Sequence, residues 1–320
     1  MSPVLTTATL VTQDGVPVDA VHLPGPNGPG VGLGIVMAHG FTLSWQKPMV
    51  WNVAQRFAAA AGVVTFDFRG HGRSGGLSTL GDKEIYDLDV AVRYARQLGY
   101  ERVATVGFSM GGSVALRHGG LIGGVDAVVS VSSPGHWYFR GTEAMRRVHF
   151  AAERRLGRLY TRHFLGTRIA GNGWNPLPTP PAVAAAGISP VPVLIVHGDS
   201  DHYFPPEHGH ELYDGAREPK ELWMIPGFEH AERATDDALA DRIAAWVANA
   251  VSSQGAVPSH RAAAEHRAVT SHGAVADHSA VSSHGAVSSH GAVPSHGAVA
   301  DHSHGGVSSH SAAAEQSAAG

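Results

Sequence analysis

The sequence predicts an α/β protein. A doubly wound, mostly parallel sheet follows an N-terminal β-hairpin, carries an inserted helical cap, and ends in a histidine-rich tail. Three observations lead there. Short, almost continuously apolar runs rich in Val and Ile recur between residues 33 and 225, with Gly or Pro at their borders. Segments with the spacing of amphipathic helices separate them. The composition then changes abruptly near residue 251. Runs that are apolar throughout suit strands covered on both faces, the condition of a parallel sheet with helices above and below.

In chain order, Val4–Thr12 and Val16–Leu23 alternate apolar and polar residues around Asp14-Gly15, a hairpin turn signal. Six buried strands are then expected at Leu33–Ala38, Val63–Phe68, Arg102–Gly107, Val125–Val131, Val191–Val196 and Glu221–Ile225. Between them, Trp51, Ala54, Phe57 and Ala58 share one helical face, as do Ile85, Leu88, Val92 and Ala95. Leu239, Ile243, Trp246 and Val247 do so near the end. The segment 135–190 is far longer than an ordinary connection. It holds eight arginines against two glutamates, and Met145, Val148, Ala152, Leu156, Leu159 and Phe164 are spaced for amphipathic helices. It reads as a helical cap over the C-terminal edge of the sheet, with Trp174–Pro181 as an irregular return. The organisation expected is a core in two parts, 1–134 and 191–250, a cap over 135–190, and a low-complexity tail over 251–320.

In that tail histidine recurs every six residues from His260 to His302, and His304 and His310 restart the period out of phase. Each unit, roughly Ser-His-Gly-Ala-Val-x, offers one modest apolar residue. That is too little buried area to offset ordering entropy, so disorder is expected. Successive imidazoles lie up to roughly 19 Å apart in an extended polyproline-like chain. Only His302 and His304 form a local pair, so no metal site is expected beyond weak binding there.

Composition sets bounds rather than a function. The chain has 320 residues, a hydrophobic share of 43%, a formal net charge of -4 and no cysteine. Disulfides, thiolate chemistry and cysteine-based metal sites are excluded. The charge gives no argument for nucleic acid or a membrane surface as partner. Met1–Leu10 lacks a basic n-region and a continuous apolar core, and no stretch approaches the roughly 20 apolar residues of a membrane span. A cytoplasmic protein without nucleic-acid or membrane partners is the expectation; its oligomeric state is left open.

The chemistry is concentrated in Gly107-Phe108-Ser109-Met110-Gly111, which follows the expected strand at 102–107 and opens a small-residue helix. This is Gly-x-Ser-x-Gly in a strand–turn–helix setting. A serine at so sharp a turn sits in strained backbone and needs neighbours without bulk, which Gly107 and Gly111 supply. The following helix points its positive end at a developing oxyanion.

On these residues the chain resembles the α/β-hydrolase superfamily over nearly all of 1–250. Four further motifs match. Ala38-His39-Gly40-Phe41 resembles the oxyanion-hole loop, which implies that the backbone N–H of Phe41 pairs with that of Met110 around the oxyanion. Asp67-Phe68-Arg69-Gly70-His71-Gly72-Arg73-Ser74 resembles a structural run beside the active site. His197-Gly198-Asp199-Ser200-Asp201 resembles the loop holding the catalytic acid, and the family's spacing selects Asp201, with Asp199 as rival. Pro226-Gly227-Phe228-Glu229-His230 resembles the catalytic-histidine loop. The implied set is Ser109 as nucleophile, His230 as general base and Asp201 as the acid that orients it. Their chain order is that of this fold and not of chymotrypsin or subtilisin.

Other histidines compete with His230. His197 and His39 are expected to be hydrogen-bonded structural groups, His208 and His210 solvated on a helix, and His71 a loop-packing residue. Substrate-pocket candidates are His39, Trp137, Tyr138, Phe139 and Tyr203, with a plain core role equally open to the cap aromatics. The cap arginines Arg146, Arg147, Arg154, Arg155 and Arg158 read as a solvated face rather than an anion-steering one. Serine at the nucleophile position disfavours haloalkane dehalogenase, epoxide hydrolase and dienelactone hydrolase chemistry. The leading expectation is hydrolysis of a carboxylic ester on a small-molecule acyl substrate, without cofactor. Cofactor-free perhydrolases (haloperoxidases), thioesterases and C–C bond hydrolases share the triad. A peptidase taking a free amine would need acidic residues in the cap, and this cap is basic. The reading from another class is a non-catalytic scaffold with a metal-binding tail.

Overall fold

A computed structural model describes residues 5–253. The expected tail, with His302 and His304, lies outside the described residues beyond Ser253. Two strands open the chain, β1 (Thr6–Val11) and β2 (Pro17–Leu23), antiparallel with Thr6 opposite His22 and Val11 opposite Pro17. Their turn is closed by the Val16 N–H donating to the Thr12 hydroxyl at 2.9 Å, with Gly15 at φ +80°.

The core follows as β3 (Leu33–Ala38), α1 (Pro48–Ala58), β4 (Gly62–Phe66), α2 (Glu84–Gln97), β5 (Arg102–Phe108), α3 (Met110–Leu121) and β6 (Ala127–Val131). Between β6 and the next strand come α4 (Glu143–Glu153), α5 (Arg155–Phe164) and α6 (Pro181–Ala185). The chain closes with β7 (Val193–Gly198), α7 (Pro206–Gly215), β8 (Lys220–Ile225), α8 (Ala231–Ala234) and α9 (Asp237–Ser253). The eight strands form one sheet in the order β1-β2-β4-β3-β5-β6-β7-β8. From β4 to β8 every neighbour is parallel, and β2 joins β4 antiparallel. This is the α/β-hydrolase fold.

Helices cover both faces, which is why the central strands are almost wholly apolar, Thr65, Thr105 and Ser130 being the buried exceptions. On one face Val50 and Phe57 of α1 and Leu239 and Ile243 of α9 pack on Ile35, Val106 and Leu194. On the other, Leu88 of α2, Val114 of α3 and Leu212 of α7 pack on Val36, Val128 and Ile195. Phe57 and Ile243 are fully buried; each such burial stabilises by about 2 kcal/mol. The strand order reverses between β3 and β5, and open α/β sheets form their sites outside the carboxyl ends of strands at such a point.

The differences from expectation have local causes. β4 ends at Phe66, two residues early; the Asp67 N–H still donates to the Asp19 carbonyl of β2 at 2.8 Å, while its carboxylate accepts the Trp45 and Arg73 N–H groups at 2.9 and 3.0 Å. β8 is an edge strand and half-buried rather than covered on both faces. The helix begun at Asp237 continues to Ser253, past the expected boundary at 250. In the 135–190 segment, Met145, Val148 and Ala152 of α4 turn toward the interior of a cavity. Leu156, Leu159 and Phe164 of α5 do not pack inward; Leu156 and Phe164 are each 75% exposed. Gly157 and Thr161 are the residues that α5 buries.

Candidate active site

Ser109 sits between β5 and α3 at φ +51°, ψ -117°, a conformation that costs a side-chain-bearing residue roughly 1–3 kcal/mol. The surroundings hold it there. Its N–H donates to the Val131 carbonyl at 2.8 Å, and the Ser133 hydroxyl donates to its carbonyl at 2.9 Å. A Cβ at Gly107 would meet the Gly111 backbone, and one at Gly111 would meet the carbonyls of Ala38 and His39. The spacing of Gly-x-Ser-x-Gly is thus a packing requirement of the turn.

Two loops assemble the polar groups beside Ser109. After β8, His230 places Nε2 3.0 Å from the Ser109 Oγ. Its Nδ1 lies 2.7 Å from Asp201 Oδ2, in the loop after β7. The other oxygen, Oδ1, accepts the N–H groups of Tyr203 and Phe204 at 2.8 and 3.0 Å. Burial pushes the Asp201 carboxyl up, but the His230 hydrogen bond and charge, with those two amides, outweigh it and leave the group below its ordinary value. A carboxylate fixed this way holds the Nδ1–H tautomer of His230 and leaves Nε2 free to take a proton from Ser109. Asp199 is exposed and instead accepts the Gly227 N–H at 2.7 Å and the Ser200 hydroxyl at 3.0 Å, so it shapes the loop and does not touch His230.

Phe41, Met110, Trp137, Tyr138, Phe139 and Tyr203 line one cavity of about 630 Å³ with Ser109 and His230. Met110 is the first residue of α3, so its N–H has no partner inside the helix. Tyr203 packs its ring 4.4 Å from the His230 ring. Trp137 is fixed by its Nε1–H on the Pro178 carbonyl at 2.8 Å and by Trp174, whose ring is 5.0 Å away.

His39 does not line that cavity. It is fully buried, donates Nδ1–H to the Gly40 carbonyl at 2.7 Å and accepts the Phe68 N–H on Nε2 at 3.1 Å. Burial pushes its pKa down to about 4, so it is a neutral brace between β3 and β4. His71 and His197 are buried braces too: His71 accepts the Thr42 N–H at 3.3 Å, and His197 bonds the Phe204 carbonyl at 2.9 Å. His208, expected to be solvated, is buried among Phe139 and Phe204 and accepts the Gly135 N–H at 3.1 Å; burial pushes it down to about 4. His210 is exposed.

Two features have no counterpart in the sequence reading. Glu232, two residues after His230, is buried beside Ser109 and accepts the Gly40 N–H at 2.6 Å. Burial raises its pKa. His136, His208 and Glu211 also gather ligand-type atoms within 4.8 Å of one another. There His136 Nδ1 is 2.7 Å from Glu211 Oε2, while the Gly135 amide already occupies His208 Nδ1. The cluster is a satisfied hydrogen-bond anchor between the 135–139 turn and α7.

Comparison with known proteins agrees with this architecture. The chain is 27% identical over 258 residues to the uncharacterized protein YfhR of Escherichia coli (strain K12), covering 76% of this chain and 80% of that one. Its fold superposes on the esterase Pf2001 of Pyrococcus furiosus with a TM-score of 0.61 at 24% identity, over 78% of this chain and 91% of that one. The alpha/beta hydrolase GrgF of Penicillium sp. sh18 gives a TM-score of 0.60 at 17% identity, over 78% and 99%. A family model, described as the alpha/beta hydrolase family, matches residues 35–278. The chain belongs to that family.

Proposed function

We propose that this protein is a serine hydrolase that cleaves carboxylic esters through an acyl-enzyme. The observation that carries the proposal is the continuous run Asp201–His230–Ser109, with separations of 2.7 and 3.0 Å, opening into a cavity with an aromatic wall. In the first half-reaction Ser109 Oγ bonds the acyl carbon as its proton passes to His230 Nε2. The Phe41 and Met110 N–H groups receive the oxyanion. Collapse breaks the bond to the leaving alkoxide, which takes the proton from His230. Water then repeats the sequence and releases the acid. Glu232 positions the Gly40–Phe41 turn through its hydrogen bond to Gly40. That the Pyrococcus furiosus relative is an esterase favours an ester over other acyl substrates.

The test is covalent labelling by a fluorophosphonate. Ser109 is expected to carry the label in the wild type, and Ser109→Ala and His230→Ala are expected to lose it. An unlabelled wild type, well folded by its melting curve, would favour the scaffold reading instead.

A further inference from the structure

The surface of α4 and α5 is unlike the rest of the molecule. Leu156, Leu159, Tyr160 and Phe164 follow one another at helical spacing and form a single stripe along α5. Most of that stripe stands in solvent rather than against the body, beside the buried edge formed by Gly157 and Thr161. Leu159 and Tyr160 are more than half exposed, Leu156 and Phe164 more so, and Phe150 of α4 is 57% exposed beside them. Arg155 and Arg162 are exposed on the same helix, with Arg146, Arg147 and Arg154 on or next to α4. The segment 135–190 carries eight arginines and two glutamates in a chain whose net charge is -4. The stripe also continues into the cavity, because Tyr160 and Leu165 are exposed and line the same space as Ser109.

We propose that this face docks the protein on an anionic lipid surface, with the rim of the Ser109 cavity against it. A basic helix with a strong apolar stripe and little overall hydrophobicity lies in a membrane interface, its apolar side chains among the acyl chains and its cations at the headgroups. A second copy is a poorer occupant, since facing copies would set two arginine-rich surfaces against each other. The inference rests on the acyl-hydrolase reading only for its purpose, access to acyl substrates held in a bilayer. The docking itself needs no catalysis.

The test is co-sedimentation of full-length Ser109→Ala, which leaves lipid intact, with two kinds of vesicle. One is phosphatidylcholine alone; the other contains roughly 30% phosphatidylglycerol, which supplies the anionic surface. Working at about pH 8 keeps the tail imidazoles neutral, so they add no attraction of their own. Partition is expected on the phosphatidylglycerol vesicles and is expected to weaken at high salt. Adding Leu156→Ser and Phe164→Ser is expected to reduce partition by about tenfold or more, and Arg155→Gln with Arg162→Gln by several-fold. All three proteins are expected to melt at nearly the same temperature, as exposed positions allow. Equal partition on both vesicle types, none on either, or no effect of the Leu156 and Phe164 substitutions would overturn the proposal. So would a dimer in sedimentation velocity that those two substitutions dissociate. Failure of fluorophosphonate labelling in the wild type would leave the docking result standing.

Discussion

Glu232 accepts the Gly40 N–H at 2.6 Å across 192 residues of sequence. A Cβ built on Gly40 would lie 3.2 Å from the Glu232 carboxyl and 3.4 Å from the Ser109 Cβ, so the Gly40–Phe41 turn is held between the two. Glu232→Ala is therefore expected to lower kcat for ester hydrolysis by roughly 10–100-fold with KM little changed, since one positioned donor contributes about that much or more. Glu232→Gln keeps an oxygen for the Gly40 amide and is expected to stay within about threefold of wild type. Steady-state kinetics of both variants checks this. Equal loss in both would point to the charge rather than the hydrogen bond.

The two aspartates of the loop after β7 should separate cleanly. Asp201→Asn is expected to lower kcat by about 10³–10⁴-fold, because an amide there favours the wrong His230 tautomer. Asp199→Asn is expected to leave activity within about threefold, and to cost no more than about 1 kcal/mol in chemical denaturation for its bond to Gly227. Comparable kinetic losses in the two would contradict the assignment of the acid.

Stability should fall in mild acid because of buried histidines outside the Ser109–His230–Asp201 set. His39, His71 and His208 are held neutral by burial, with pKa values pushed down to about 4, 3 and 4. The unfolded chain protonates each at about 6.5, so below that pH it binds more protons than the folded state. The stabilisation is fully present above about pH 6.5 and is lost as pH falls toward the folded values. Each histidine contributes about 1.4 kcal/mol per pH unit in that window. Asp67 and Asp87, raised by burial to about 6 and about 7, work with the opposite sign over part of the same range. The test is therefore differential. Denaturation of His71→Gln at pH 6.5 and 4.5 is expected to show a shallower loss than the wild type, whatever its absolute stability. Parallel curves would mean that His71 protonates freely in the folded state.

On the proposed ester hydrolysis, the cavity wall is expected to set the size of the acyl group. Ala152 of α4 lines the cavity of about 630 Å³, and Ala152→Trp would fill part of it. The expected result is a drop of about tenfold or more in kcat/KM for a decanoate ester relative to an acetate ester, the scale on which pocket bulk discriminates alkyl length. An unchanged ratio would place the acyl chain elsewhere.

Much of this was legible in the sequence because buried parallel strands write themselves as nearly continuous apolar runs. β3 and the hairpin fall where they were read, and the loops around Ser109, Asp201 and His230 sit at strand ends. The spacing of Gly107 and Gly111 was readable because it answers to sterics within a few residues. Glu232 was not readable: a glutamate at the start of a helix looks solvated, and its burial depends on a backbone amide 192 positions away. The same holds for His208, whose place on α7 gives no hint that Phe139 and Phe204 enclose it. The periodicity of α5 revealed its apolar stripe but not its direction, because a helical pattern says which residues share a face and not what that face meets.

The most direct test of the account is hydrolysis of p-nitrophenyl esters from acetate to decanoate by the wild type and Ser109→Ala in parallel. Turnover by the wild type is expected, with a chain-length profile bounded by the cavity, and a loss of about 10³-fold or more in a Ser109→Ala protein with an unchanged melting curve. Equal turnover by the two proteins would contradict it, since the chemistry would then not pass through Ser109.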